Sequence, residues 1–235
     1  MKTKPGSWIS HAALCLAVAF LPTCGGGGGG TGDGSAGTGS VSVQLQLNDQ
    51  QTPGLAQIDC ARTELATVEA EVYDEANTLL ASGGPWACTL HQGTISNVPG
   101  ECNLRVVALA TGGVEAPINY LGESAPFCVT TGATTSVEVM LRPFNPPSGL
   151  SPTFNYCFSP PCSFTFSWSS GWERHEFELD NTSDFSSPLT SAVVNGTSCQ
   201  ASVPGTGTYY WRVRATDSTG NHQTGWAQVT FVVSP

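Results

Sequence analysis

Beyond Lys4 the sequence contains no lysine. Lys2 and Lys4 account for two of the eight basic residues, leaving six arginines against 18 acids. Without the N-terminal lysines the chain carries a net charge of 6 − 18 = −12. So acidic a surface argues against nucleic acid and anionic lipid headgroups as partners. Long apolar runs are missing too. Ala12 to Leu21 spans ten residues, half of the about 20 that a membrane-crossing helix requires. No C-x-x-C pair occurs, and His91, His175 and His222 are scattered, so a structural zinc site is not expected. No G-x-S-x-G nucleophile elbow is present either.

What is present begins with a basic start, Lys2 and Lys4, followed by that short apolar run. This pattern is a secretory signal with its h-region. The run ends at Leu21-Pro22-Thr23-Cys24, which resembles the bacterial lipobox. The resemblance implies cleavage before Cys24 and transfer of diacylglycerol to its thiol, with residues 1–23 removed. The alternative cut, after Ala17-Val18-Ala19, falls inside the apolar run and leaves too short an h-region. Gly25 follows the cysteine where an aspartate tends to retain Gram-negative lipoproteins in the inner membrane. By that resemblance the expected destination is the outer membrane.

Residues 24–39 hold the cysteine and a run of glycine with a few Thr, Ser, Asp and Ala. Such a segment has no apolar side chain to bury and is expected to be a flexible tether. Its roughly 15 residues would reach about 20–23 Å. A phosphate-cradling loop is excluded because no lysine follows the glycines.

The remaining chain suits two small domains, expected at 40–143 and 144–235. In the first, the apolar period is two. Val41, Val43, Leu45 and Leu47 alternate with polar residues, as do Val68, Ala70 and Val72, then Leu104, Val106 and Ala108, then Val137, Val139 and Leu141. One apolar and one polar face per strand predicts antiparallel sheets over a single core. Turn signals at Gly83-Gly84-Pro85, Val98-Pro99-Gly100 and Gly112-Gly113 separate about seven short strands, a Greek-key sandwich pattern. Val98-Pro99-Gly100 leading into Leu104-Arg105-Val106 resembles the turn-and-strand feature of transthyretin-like and carboxypeptidase-regulatory-like sandwiches. That resemblance implies a non-catalytic module.

Pro143, Pro146, Pro147, Ser148 and Gly149 mark the boundary of the second domain. Phe164, Phe166 and Trp168 alternate, and Gly207-Thr208-Tyr209-Tyr210-Trp211-Arg212-Val213-Arg214-Ala215 is followed by Asp217 and Gly220. This arrangement resembles the fibronectin type III fold. The resemblance implies that Tyr209 is the corner tyrosine, bonded back to main chain, and that Trp168 is a core residue. Trp211 stands where that family usually has valine, so a locally larger or shallower core is implied. The expected fold class is therefore all-β, with two consecutive immunoglobulin-like sandwiches.

In an exported chain the cysteines read as disulfides. Of three pairings open to Cys60, Cys88, Cys102 and Cys128, we favour Cys60–Cys88 and Cys102–Cys128. Cys157 and Cys162 flank a proline-rich turn suited to a local bridge. That leaves Cys199 as a small buried apolar residue; Cys162–Cys199 is the alternative.

No catalytic residues, metal ligands or cofactor are expected. Of the carboxylates Glu173, Glu176 and Glu178, the last two alternate on a solvated strand face, and Asp180 to Asp184 and Asp217 to Asn221 read as Asx-type turns rather than calcium loops. Trp172, Trp226 and Trp86 adjoin glycine or proline outside the alternating positions. Exposed rings stack on sugars or mark interfaces, which makes Trp172 and Trp226 the candidate ligand-binding residues; otherwise they cap the sandwich ends. The function expected is a membrane-anchored, non-enzymatic binding module for an unknown protein or glycan. A cell-surface carbohydrate-binding protein and a structural envelope component are the alternatives.

Overall fold

The computed structural model describes residues 37–47, 59–112 and 118–235. The signal, Cys24 and most of the glycine run lie outside the described residues. The fold is all-β: two consecutive β-sandwiches.

The first sandwich is built from β1 (Thr38–Leu47), β2 (Thr67–Tyr73), β3 (Leu79–Ala87), β4 (Gln92–Pro99), β5 (Arg105–Thr111), β6 (Ile118–Glu123) and β7 (Thr134–Pro143). They form one sheet in the order β3-β2-β5-β6-β7-β1-β4. Its halves meet at a short β6–β7 ladder at Tyr120–Leu121, and the sheet folds over as two layers. Val41 and Val43 of one layer and Val68, Ala70 and Val106 of the other share one core. Two-residue periodicity is what makes this work, since each strand turns alternate side chains to the same interior.

β1 is paired on both sides, antiparallel with β4 and parallel with β7. It begins two residues earlier than the sequence implied. Thr38 and Gly39 pair with Pro99 and Val98 instead of belonging to the tether. Gly39 suits that place because a Cβ there would stand 2.6 Å from the Thr130 carbonyl.

β3 and β4 lie at opposite ends of the sheet order, yet their turn brings them together around Trp86. This residue is half-buried and packs against the core. A Cβ on Gly93 would stand 2.2 Å from the indole, so the ring rests directly on β4 main chain. Trp86 is thus a filler of the sandwich opening. Gly93→Ala is expected to cost about 2 kcal/mol through overpacking, read by urea unfolding, with a red shift of tryptophan emission as the indole is displaced. An unchanged midpoint would show that the ring does not rely on that glycine.

The second sandwich comprises β8 (Ser148–Ser151), β9 (Phe154–Tyr156), β10 (Cys162–Ser169), β11 (Arg174–Asp180), β12 (Thr190–Asn195), β13 (Ser198–Val203), β14 (Gly207–Thr216) and β15 (Ala227–Ser234). A three-stranded sheet, β13-β10-β8, faces a five-stranded one, β12-β11-β14-β15-β9. Phe166, Phe177, Trp211 and Phe231 are fully buried between them and meet edge-on or tilted, with centroids 5.2–5.8 Å apart for the pairs made by Phe166–Trp211, Phe166–Phe231 and Phe177–Trp211. Tyr209 donates its hydroxyl to the Gly205 carbonyl at 3.0 Å, closing the tyrosine corner. Trp168 is buried in the same core. The large Trp211 is accommodated at full depth because its indole N–H reaches the Pro152 carbonyl at 3.1 Å.

Disulfides join Cys60 to Cys88, Cys102 to Cys128 and Cys157 to Cys162. Cys60 and Cys88 each open a short helical turn, Cys60–Thr63 and Cys88–Leu90, so the bridge ties these two turns together. Cys199 lies on β13 opposite Phe166. It is half-buried at the edge of the core and not fully buried as the sequence implied.

Candidate functional site

The most densely connected polar cluster sits in the seam between the two sandwiches. Its apolar floor is Tyr73, Val107, Leu109, Leu121, Phe144, Trp172 and Ala215, a buried cluster distinct from the two sandwich cores. Val107 and Leu109 come from the outer face of β5, whose inner face carries Val106 and Ala108. β5 is therefore apolar on both sides, because the second sandwich covers the side that would otherwise face water.

Trp172 is the central anchor of this seam. It is 4% exposed, so the expectation that it offers a ring to a sugar is corrected. Its indole N–H donates to the Pro143 carbonyl at 2.9 Å. The Arg142 guanidinium lies 3.8 Å over its ring centre and donates to the Gly171 carbonyl at 2.8 Å. Phe144 packs edge-on at 5.0 Å. The proline-rich junction is therefore held by the seam, with Phe144 buried and its N–H bonded to Asn119.

At the far end of the seam, His222 stands between two carboxylates. Its Nε2 is 3.1 Å from Glu71 of the first sandwich and its Nδ1 is 3.0 Å from Asp217 of its own. Asp217 is fully buried. It also accepts from Thr219 Oγ1 at 2.5 Å, the Gly220 N–H at 2.7 Å and the His222 N–H at 3.2 Å. The Asp217 loop is thus an Asx-type turn, and its carboxylate also serves His222. Tyr73 donates its hydroxyl to the same Glu71 oxygen. Ser218 N–H donates to Glu123 at 2.8 Å and Arg105 donates to Ser218 Oγ at 2.6 Å, both across the seam.

The electrostatics follow from this geometry. Burial opposes charge on His222, but hydrogen bonds to Asp217 and Glu71 outweigh it and raise its pKa to about 9. The imidazolium in turn lowers Glu71, chiefly through their hydrogen bond. Burial opposes ionisation of Asp217, yet the bonds from His222 and Thr219 hold its pKa below the ordinary value. Burial, then the bond to Glu71, raises Tyr73. At neutral pH the cluster is a carboxylate–imidazolium–carboxylate clasp. Its donors and acceptors are used on one another, which suits joining two bodies.

Trp226 is half-buried, with the guanidinium groups of Arg212 and Arg214 each 4.4 Å from its ring centre. Those arginines pair across the ladder with Glu178 and Glu176 at 2.6 Å. The acids expected on a solvated face are therefore the partners of a cross-strand ion ladder, with Trp226 laid against it. Glu173 lies outside this ladder, where its carbonyl accepts from Gly196 at 2.6 Å. Among the described residues, no three His, Cys, Asp or Glu side chains are grouped to hold a metal.

A different aromatic group is exposed. Phe154 and Tyr156 on β9 and Phe158 beyond it point outward together, with 48%, 54% and 84% exposure. Their rings touch in sequence, edge-on at 5.0 Å and then nearly parallel at 5.9 Å. The alternation Phe154, Tyr156, Phe158 was visible in the sequence, but nothing there distinguished it from core-directed alternation.

The two facing sheets and the corner at Tyr209 define an all-β protein whose second sandwich is fibronectin type III-like. No family model matches the chain, and no curated protein matches it. Among solved structures, it is similar to FN3tt at 14% identity, covering 39% of this chain and 95% of that one with a TM-score of 0.30. It is similar to the fibronectin(III)-like modules of Clostridium thermocellum CbhA at 15% identity, 72% and 80% coverage and a TM-score of 0.28. The fimbrial anchor protein Mfa2 from Porphyromonas gingivalis gives 8% identity, 81% and 82% coverage and a TM-score of 0.36. The fold assignment rests on the ladders and cores of this chain itself.

Proposed function

We propose that the chain is an exported lipoprotein that presents a non-catalytic binding module from a membrane, held by a lipid on Cys24. The observation that carries this reading is where the anchor-bearing end enters the fold. The glycine-rich stretch after Cys24 runs into β1, the strand laddered to both β4 and β7. A pull on the anchor acts along β1 and loads both ladders in shear, so many hydrogen bonds resist together. The three disulfides fit an oxidising, extracytoplasmic compartment. The two acyl chains of a diacylglycerol satisfy the two-signal requirement for stable anchoring. Gly25 after the cysteine favours the outer membrane.

Chemically, the seam spends its titratable groups on joining the sandwiches, which favours a scaffold for binding over an active centre. The acidic body favours partners other than nucleic acid.

Detergent phase partitioning tests the anchor. The wild-type chain expressed in a bacterial host is expected in the detergent phase, and Cys24→Ala almost wholly in the aqueous phase. A wild-type chain that stays aqueous would sink the proposal.

A further inference from the structure

We propose that the exposed strip Phe154–Tyr156–Phe158 is a binding site for a neutral saccharide. The inference rests on the binding-module reading and assigns that module its ligand class.

The strip is built outward by strand geometry. β9 is the outermost strand of its sheet, parallel to β15, with Phe154 opposite Val232 and Tyr156 opposite Ser234. Cys157 turns inward and is buried, so Phe154, Tyr156 and Phe158 all face water. Leaving three adjoining rings exposed forgoes stabilisation that burial would give. Contiguous exposed apolar surface of this kind marks interaction sites.

The strip is also held in place. Phe158 lies inside the loop closed by the Cys157–Cys162 disulfide, together with Pro160 and Pro161. Cys157 N–H donates to the Ser234 carbonyl at 2.8 Å, and Cys162 opens β10 in the opposite sheet. The loop therefore bridges both layers of the sandwich. A ring presented from so short a closed loop loses little conformational freedom on binding.

Three observations select the ligand. First, no charged residue occurs between Arg142 and Glu173, nor from Gln223 to Pro235, in a chain with 18 acids. Those segments supply β8, β9, β10 and β15, so the strip and its surroundings are neutral, which matches an uncharged ligand. Second, Ser159, exposed next to Phe158 in the closed loop, offers a hydroxyl group to sugar hydroxyls. Tyr156 and Phe158 are nearly parallel, at 7°, and present aromatic faces and edges to the C–H face of a pyranose. Third, addition of a partner strand to β9 is disfavoured. The strand has three residues, and the Tyr156 N–H already donates to Asn155 Oδ1 at 2.9 Å.

Native affinity electrophoresis tests the site, using the full chain in gels containing hydroxyethyl cellulose, laminarin or galactomannan, with alginate as the anionic control. Retardation is expected in at least one neutral gel and not in alginate. Phe158→Ala, a change at a solvent-exposed ring, is expected to weaken that binding about tenfold, and Tyr156→Phe to retain most of it. Three outcomes overturn the proposal: no retardation in any neutral gel, retardation that Phe158→Ala leaves unchanged, or self-association in sedimentation equilibrium that Phe158→Ala abolishes while no gel retards the chain. The last would assign the strip to a second copy. Detergent partitioning of the same preparations separates this result from the anchoring proposal, since Phe158→Ala should partition as wild type does.

Discussion

Trp172→Ala is expected to lower stability by about 3 kcal/mol or more and to uncouple the two sandwiches. The indole fills the centre of the seam, so truncation opens a cavity among Phe144, Val107 and Leu109. It also leaves the Pro143 carbonyl without its 2.9 Å donor and Arg142 without the ring beneath it. For a chain of this size about 3 kcal/mol corresponds to a melting temperature lower by roughly 6–12 °C. Trp172→Phe keeps most of the volume but loses the N–H, and should cost about 1 kcal/mol beyond the change in packing. Calorimetry distinguishes packing from coupling. The wild type should unfold in one transition, and Trp172→Ala should split or broaden it as each sandwich melts on its own. A variant within 2 °C of wild type, still unfolding in one step, would show that the seam is not anchored there.

How much of this was legible depends on whether the partner of a face lies nearby in sequence. Strands with one covered face were plain in the alternation, as at Val41 to Leu45 in β1 or Phe164 to Trp168 in β10. β3, with Gly83, Gly84 and Pro85 in its middle, reads as a turn. It survives as a strand because Trp86 folds back over Gly93 and closes that side. β5 carried the one local sign of the seam. Val106, Val107, Ala108, Leu109 and Ala110 are all buried, a continuous apolar run where a strand with one wet face would alternate. Reading only Val106 and Ala108 concealed it.

The burial of Trp172 was concealed for the same reason. Trp172 and Trp226 look alike in sequence, each beside a glycine. Their environments differ because Trp172 meets Phe144 and the covered face of the first sandwich, whereas Trp226 lies against Arg212 and Arg214 of the ion ladder of its own sheet. Likewise, Asp217 and Gly220 announced a turn, and a turn is what they make. That the same carboxylate holds a histidine whose other nitrogen reaches Glu71 depends on the packing of distant elements, which no local pattern encodes.

Replacing His222 with leucine should be as costly as the loss of Trp172, and its pH dependence identifies the cause. In the wild type the imidazolium balances Glu71 and the buried Asp217. Without it two carboxylates, that of Asp217 fully buried, face each other across the seam, a loss of about 3 kcal/mol at neutral pH. His222 has a folded pKa of about 9, above its ordinary 6.5. Its contribution is therefore complete below about pH 6.5 and disappears as pH rises towards 9, because the native state holds a proton that the unfolded chain has released. Glu71 and Asp217 are lowered from 4.5 and 3.8. Their contribution is present above those values and is lost as pH falls through the lower folded ones. His175, kept neutral chiefly by burial, adds a further loss as pH falls below 6.5. Its shift comes from burial and from the main chain at Gly196 and Glu173, not from Glu71, Asp217 or His222, so that loss should be common to wild type and variant. The difference in stability between wild type and His222→Leu is thus expected to be largest from about pH 5 to 6.5, to shrink as pH rises towards 9, and to shrink again in strong acid. Urea unfolding across this range measures it. A difference that stays constant from pH 5 to 9 would mean that His222 serves only as a packing element, and that the charge of the clasp does not hold the sandwiches together.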